Sequence, residues 1–109
     1  MFAKKYRISK DSDFNKIFRN GKSFYGDFFM VKVLKNDLEF NRFAVVVSKK
    51  VSLKAVVRNK IKRKLREVLK KNVDLFPENC DVIVYANKSI LNKSFDEIEE
   101  KMKTCFRKK

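Results

Sequence analysis

The sequence predicts an α+β sandwich, with helices packed on a central sheet, and three features predict it. Across residues 57–71, VRNKIKRKLREVLKK, the apolar side chains Val57, Ile61, Leu65, Val68 and Leu69 fall at i, i+4, i+8, i+11 and i+12. That spacing is one stripe of an α-helix. Two short runs rich in β-branched residues, Arg42 to Ser48 and Cys80 to Ala86, flank this helix and read as strands. Ser94 and Glu97 form a capping box that opens a last helix, whose apolar face is Phe95, Ile98, Met102, Cys105 and Phe106.

The remaining elements follow in chain order. Residues 1–9 are a short basic lead-in, expected to be disordered. Phe14, Ile17 and Phe18 sit at i, i+3 and i+4 and predict a helix from about Ser12 that stops at Asn20-Gly21. Phe24 to Leu34 reads as one strand, with Phe29, Val31 and Val33 on one face and Phe28, Met30 and Lys32 on the other. Asn36-Asp37 marks a turn before the FAVVVS run, which is either one bent strand or two. Lys49 to Lys54 is a basic loop into the central helix, expected to end near Leu75 because Pro77 follows. The order is α-β-β-β-α-β-α in a single domain over residues 1–109, with the third strand the least firmly defined.

The chain has 109 residues, 44% hydrophobic with eleven Phe, enough for one core. Its 28 Lys and Arg against 13 acids give a net +15, and the surplus is concentrated. From Lys49 to Lys71, eleven cations face the single acid Glu67, a local net of +10. Nucleic acid explains such a surplus best, because binding phosphates releases condensed counterions. Anionic membrane is the rival, but no apolar run approaches the twenty or so residues of a spanning helix. The opening MFAKKYR lacks the apolar core of a secretion signal, so a cytoplasmic protein is expected.

The chain has no His, two Cys and two Gly. It therefore has no zinc-type ligand set, no Ser-His or Cys-His pair and no Gly-rich phosphate loop. Cys80 and Cys105 read as separate thiols in a reducing compartment. The acids Asp96, Glu97, Glu99 and Glu100 fit the first turn of a helix, where they complement the macrodipole, better than a metal site. No catalytic residue and no metal ligand is assigned.

At SKKVSLKAVVRNKIKRKLRE the sequence resembles the protein subunit of bacterial ribonuclease P. The signature reads Arg58-Asn59-Lys60 followed by Ile61-Lys62-Arg63, with Lys60 where Arg is usual. Asp13, Phe14 and Phe18, then Ser48-Lys49-Lys50, then Ala86-Asn87-Lys88 extend the likeness along the chain. The loop Val51-Ser52-Leu53-Lys54 replaces a shorter Gly-containing form, and Asn87 stands where Arg is common.

The resemblance implies a left-handed βαβ crossover and a division of labour. The catalytic RNA cleaves the 5′ leader from precursor tRNA, using Mg2+ held mainly by the RNA and substrate, with no organic cofactor. The protein subunit, inactive alone, binds that RNA and the leader, assisting an endonucleolytic, hydrolytic step of tRNA processing, with no obligate protein partner and no membrane. The RNA-subunit contacts are then Lys49, Lys50, Lys54, Arg58, Asn59, Lys60, Lys62, Arg63 and Arg66. The leader contacts are Phe14, Phe18, Phe28, Met30, Lys32, Ser48 and Lys88.

Each set has an ordinary alternative. A solvated basic helix face is usually laced with Glu at i±4, and here only Glu67 is available. Lys49, Lys50 and Lys54 also suit the blunting of a strand edge. Two Phe at i, i+4 fit a core, whereas the mixed Phe28, Met30 and Lys32 face suits a groove where bases stack. A mixed role, ring edges in the core and ring faces in the groove, reconciles the two, with Phe18, nearer Gly21, the more firmly seated. The competing functions are a ribosomal or other structured-RNA-binding protein without a catalytic role, a DNA-binding helix and a self-sufficient nuclease. The last two are disfavoured by the missing helix-turn-helix arrangement and the missing His.

Overall fold

A computed structural model describes residues 4–107. The elements are α1 (Asp11–Asn20), β1 (Lys22–Tyr25), β2 (Phe29–Lys35), β3 (Arg42–Val46), α2 (Ala55–Lys71), β4 (Cys80–Ala86) and α3 (Phe95–Arg107). Short 3-10 turns at Lys4–Tyr6, Val73–Leu75 and Lys88–Ile90 join them. The predicted α+β order of seven elements is present. The sheet runs β1-β2-β4-β3, antiparallel except for β3 beside β4. That parallel pair is joined through α2, a βαβ unit within an otherwise antiparallel sheet.

Alternation along the strands gives the sheet two unlike faces. Phe29, Val31 and Val33 of β2, Cys80, Val82 and Val84 of β4, and Phe43 of β3 belong to the main core. Against them lie Ile61, Leu65, Val68 and Leu69 of α2 and Ile98 and Met102 of α3. The stripe read from sequence is thus the buried face of α2, with Val57 only half-buried at its start. On the other face Ile83 and Ile17 of α1 form a small second cluster with Ile8. Phe14, Leu34, Ala44, Val46 and Tyr85 pack around it half-buried. The molecule is three layers, one thick and one thin.

Four expectations change. The Phe24–Leu34 strand is a hairpin, because the chain turns at Gly26-Asp27-Phe28. The Gly26 amide donates to the Phe29 carbonyl at 2.9 Å, and a Cβ on Gly26 would lie 2.7 Å from the Phe29 ring, so only glycine fits. The extra strand therefore comes from this split, and FAVVV is one strand. The central helix ends at Lys71, not near Leu75: the Asn72 amide side chain donates to the Val68 carbonyl at 2.8 Å, and a 3-10 turn follows. The basic lead-in is structured from Lys4 onward. Arg7 bridges to Phe43, the Ile8 amide donates to the Phe43 carbonyl at 3.1 Å, and Ile8 is buried. Residues 1–3 of that lead-in lie outside the described residues.

Two sequence signals act as read. Ser94 Oγ accepts from the Glu97 amide at 3.1 Å while the Glu97 carboxylate accepts from the Ser94 amide at 2.9 Å. The same bonds hold the Glu97 carboxyl below its ordinary range, the Ser94 backbone contributing most. Asn36 Oδ1 accepts from the Leu38 amide at 2.8 Å, an Asx-type turn between β2 and β3. Cys80 and Cys105 form no disulfide with each other.

Candidate nucleic-acid interface

The basic band is built by α2 and the loop before it. Val51, only 3% exposed, pins the loop to the core, and Ser48 and Ser52 hydroxyls accept from the Lys50 and Lys54 amides, both at 3.2 Å. Lys49, Lys50 and Lys54 are thereby held outward, all exposed. Arg58 Nη1 donates to the Ser52 and Leu53 carbonyls at 3.0 Å each. Arg58 thus closes the loop through one nitrogen of a guanidinium that carries five N–H donors. Asn59, Lys60 and Arg63 are exposed, and Lys62 and Arg66 are half-buried along their stems. Lys64 donates to the Lys93 carbonyl at 2.9 Å and ties α2 to the segment before α3.

The electrostatic fact about this band is its lack of internal compensation. Among the described residues the ion pairs join Arg42 to Asp13 and Asp81, and Lys101 to Asp27. None involves α2. Its cations therefore repel one another across one helix face unless an external polyanion meets them.

The second surface is the thin side of the sheet beside α1. Phe18, 53% exposed, sets its ring edge-on to Tyr85 at 5.7 Å between centroids, with Lys32 Nζ 5.0 Å from the Phe18 ring centre. Met30 lies opposite Tyr85 on one side and Tyr25 on the other in the strand register, so Tyr25, Met30 and Tyr85 make a row on this face. Tyr25 is 74% exposed, while partial burial pushes the Tyr85 hydroxyl pKa up. The result is an aromatic and thioether surface on the sheet, with the Phe18 ring of α1 and Lys32 beside it.

The structure distributes the expected leader residues unevenly. Phe18, Met30 and Lys32 come together, but Phe28 does not join them. It is the turn residue before β2, packed into the main core on the opposite side of the sheet, with Lys93 Nζ 5.0 Å from its ring centre. The hairpin break is the cause, since it uncouples Phe28 from the alternation of β2. Phe14 is more enclosed than Phe18, the reverse of the expected seating. It lines a recess of about 110 Å³ at the free edge of β3, with Arg7, Ile8, Ala44 and Arg66. Arg66 of the basic band lines the same recess, so the two surfaces adjoin there. Ser48 is exposed where β3 leads into the basic loop, and Lys88 is exposed in the turn after β4. Sequence reading missed Tyr25 and Tyr85; Tyr85 shares alternation with Ile83, but only the register with Met30 reveals its place.

Two of the α3 acids have structural partners. Glu97 caps its helix, and Glu99 accepts from the Asn72 side chain at 2.8 Å. Among the described residues no three His, Cys, Asp or Glu side chains are grouped to hold a metal ion. A cavity of about 930 Å³ is lined by Tyr6, Phe40 and Phe76 with Glu39, Asp74 and Glu78 against the single cation Lys70. Three acids to one cation suit a phosphate chain poorly, so it is set apart from the interface. No described helix is long and apolar enough to cross a membrane.

These features define a small basic α+β protein with a cationic helix band on one side of the sheet and an aromatic surface on the other. The family profile described as Ribonuclease P matches residues 2–109, and the chain belongs to that family. The ribonuclease P protein component of Clostridium kluyveri is 39% identical over 105 residues, covering 94% of this chain and 93% of that protein. The solved structure of the RNase P protein from Staphylococcus aureus matches with a TM-score of 0.83 at 32% identity, covering 94% of this chain and 93% of that one. That from Thermotoga maritima matches with a TM-score of 0.82 at 31% identity, covering 94% and 97%.

Proposed function

We propose that this chain is the protein subunit of a cytoplasmic ribonucleoprotein endonuclease that removes the 5′ leader of precursor tRNA, with the RNA subunit as catalyst. The observation that carries the reading is the α2 band, which has no acid partner within the described fold. The band and the Lys49–Lys54 loop grip the catalytic RNA through its phosphates. The groove between α1 and the sheet takes the single-stranded leader, bases stacking on Phe18, Tyr85 and Tyr25 with Lys32 near the backbone. With Phe14 and Arg66 lining one recess at the β3 edge, leader and catalytic RNA lie side by side.

Mg2+ belongs in this reading to the RNA and the substrate. The donor set here does not fit a resident ion, because among the described residues no three carboxylates are grouped, and Glu97 and Glu99 already serve as a cap and as a partner to Asn72. The protein's part is to bind, to orient the leader and to screen phosphate repulsion between two RNAs.

Reconstitution with a bacterial ribonuclease P RNA and precursor tRNA at low magnesium tests this. Stimulated 5′ processing is the expected result. Tight binding of structured RNA with no stimulation would instead support an RNA-binding protein without a catalytic partner.

A further inference from the structure

The helix that walls the groove rests on little packing. Ile17 is the only buried side chain of α1, and the cluster beneath it has three buried members. Its C-terminal end lies close against β2, since a Cβ on Gly21 would lie 3.2 Å from the Val33 carbonyl oxygen. The N-terminal end is entered from Ile8, which is buried and whose amide donates to the Phe43 carbonyl, and the Phe14 turn is tied further by an ion network. Arg42 Nε and Nη2 donate to the two carboxylate oxygens of Asp81 at 2.9 and 2.7 Å, a two-pronged contact. Asn36 Nδ2 adds a donor to Asp81 at 2.8 Å, and Asp81 is 5% exposed. The guanidinium is therefore immobilised on the sheet by β4 and the β2–β3 turn. Its Nη1 then reaches Asp13 of α1 at 3.3 Å.

We propose that Asp13 is a positioning residue for leader recognition: through Arg42 it holds the Phe14 turn of α1 at the groove-forming distance from the sheet. The inference rests on the groove reading above. Three observations support it. Asp13 immediately precedes Phe14, so a shift of one displaces the other. Arg42 is oriented by Asp81 whether or not Asp13 is present, so the sheet side of the latch is preformed. The Asp13 pair is also partly solvated, with side chains 20% and 29% exposed, so its contribution to stability is small while its geometric constraint is specific. Without it the Phe14 turn is held only through the Ile8–Ile17–Ile83 cluster, so a small shift of that turn away from the sheet widens the groove.

The test uses the full chain reconstituted with a bacterial ribonuclease P RNA. Asp13→Ala, Asp13→Asn and Phe18→Ala are compared with the unmodified protein for affinity to precursor tRNA, to mature tRNA and to the catalytic RNA alone. Asp13→Ala should lower the precursor-over-mature preference by about tenfold, the scale on which small misplacements act. Asp13→Asn keeps an acceptor for Arg42 Nη1 and should retain part of the preference. Catalytic-RNA affinity should stay within about twofold, since α2 packs on the opposite face of the sheet and only Arg66 of the band shares a recess with Phe14. A role in stability alone would reduce all three affinities together and leave the preference ratio unchanged, which would overturn the proposal. Full preference in Asp13→Ala alongside its loss in Phe18→Ala overturns the latch and keeps the groove. Full preference in both overturns the groove reading and the latch with it. If Asp13→Ala does not fold, the ratio in Asp13→Asn decides, an unchanged ratio counting against the latch.

Discussion

The two faces of one sheet contrast sharply, although the same alternation produced both. In β4, Cys80, Val82 and Val84 point to the α2–α3 side, while Asp81, Ile83 and Tyr85 point to the α1 side. The first three are sealed. The second three grade from a buried Ile83 to a half-buried Tyr85. Coverage accounts for the difference. At about 1.5 Å per residue and about 10 Å across, the ten-residue α1 covers roughly half of a four-stranded sheet. Helices α2 and α3, with 17 and 13 residues, cover the other side between them. Alternation decides which face a side chain joins; helix supply decides whether that face becomes core or site.

The largest expected effect breaks the sealed face. Leu65 is fully buried among α2, α3 and sheet residues. Leu65→Ala should cost about 2–5 kcal/mol, measured by denaturant unfolding. Met30→Ala, at a half-buried position on the open face, should cost less than about 1.5 kcal/mol. Equal costs would mean that the two faces are packed alike and the contrast is false.

Next comes the joint that holds α1 over the open face. Gly21 has φ −75°, a value any residue adopts, so its need for glycine is purely one of space. Gly21→Ala forces its Cβ against the carbonyls of Ile17 and Val33 and should cost about 1–3 kcal/mol. A neutral Gly21→Ala by thermal melting would show that the helix end gives way freely.

These contrasts also show what was legible beforehand. The α2 stripe, the Ser94–Glu97 cap and the Asn36 turn are local patterns, and local patterns survive in the fold. The Gly26 break was invisible because its cause is a ring three residues on, folded back over it. Ile8 looked like one apolar residue in a basic tail, and only the free edge of β3 gives it a partner. Asn72 read as helix interior, yet its side chain competes for the Val68 carbonyl and ends the helix early. Of the candidate site, the charge of α2 was plain from composition, because charge needs no fold to be counted. The groove was half legible: Phe18, Met30 and Lys32 assemble, Phe28 leaves, and Tyr25 and Tyr85 enter through cross-strand register.

A smaller effect separates the basic band from the groove. If band and loop neutralise about six phosphates, log K for RNA should fall with log salt at a slope of about −4 to −5. Arg63→Ala with Arg66→Ala should flatten that slope by about 1.5. Phe18→Ala should weaken leader binding with the slope unchanged, because stacking releases no counterions. A flattened slope in the Phe18 variant would merge the two surfaces into one electrostatic patch.

The smallest expected effect compares two titrating groups on the same strand. Burial, with a lesser push from Asp81, raises the Cys80 thiol from 9.0 to about 11, whereas Tyr85 on the open face is raised by partial burial alone. The folded chain therefore keeps the Cys80 proton after an unfolded chain has released it. Stability from the neutral thiol is complete below about pH 9 and disappears as the pH climbs toward 11. Lysines and tyrosines also titrate in that range, so the informative quantity is a difference. Cys80→Ala removes the thiol and its Sγ–H donation to the Pro77 carbonyl at 3.1 Å. That variant should be somewhat less stable than the unmodified chain at pH 7. The gap should narrow between pH 9 and 11, by about 1 kcal/mol, as read from parallel urea unfolding curves. A gap that stays constant across that window would show that water reaches Cys80, and the face described as sealed would be open at its β4 end.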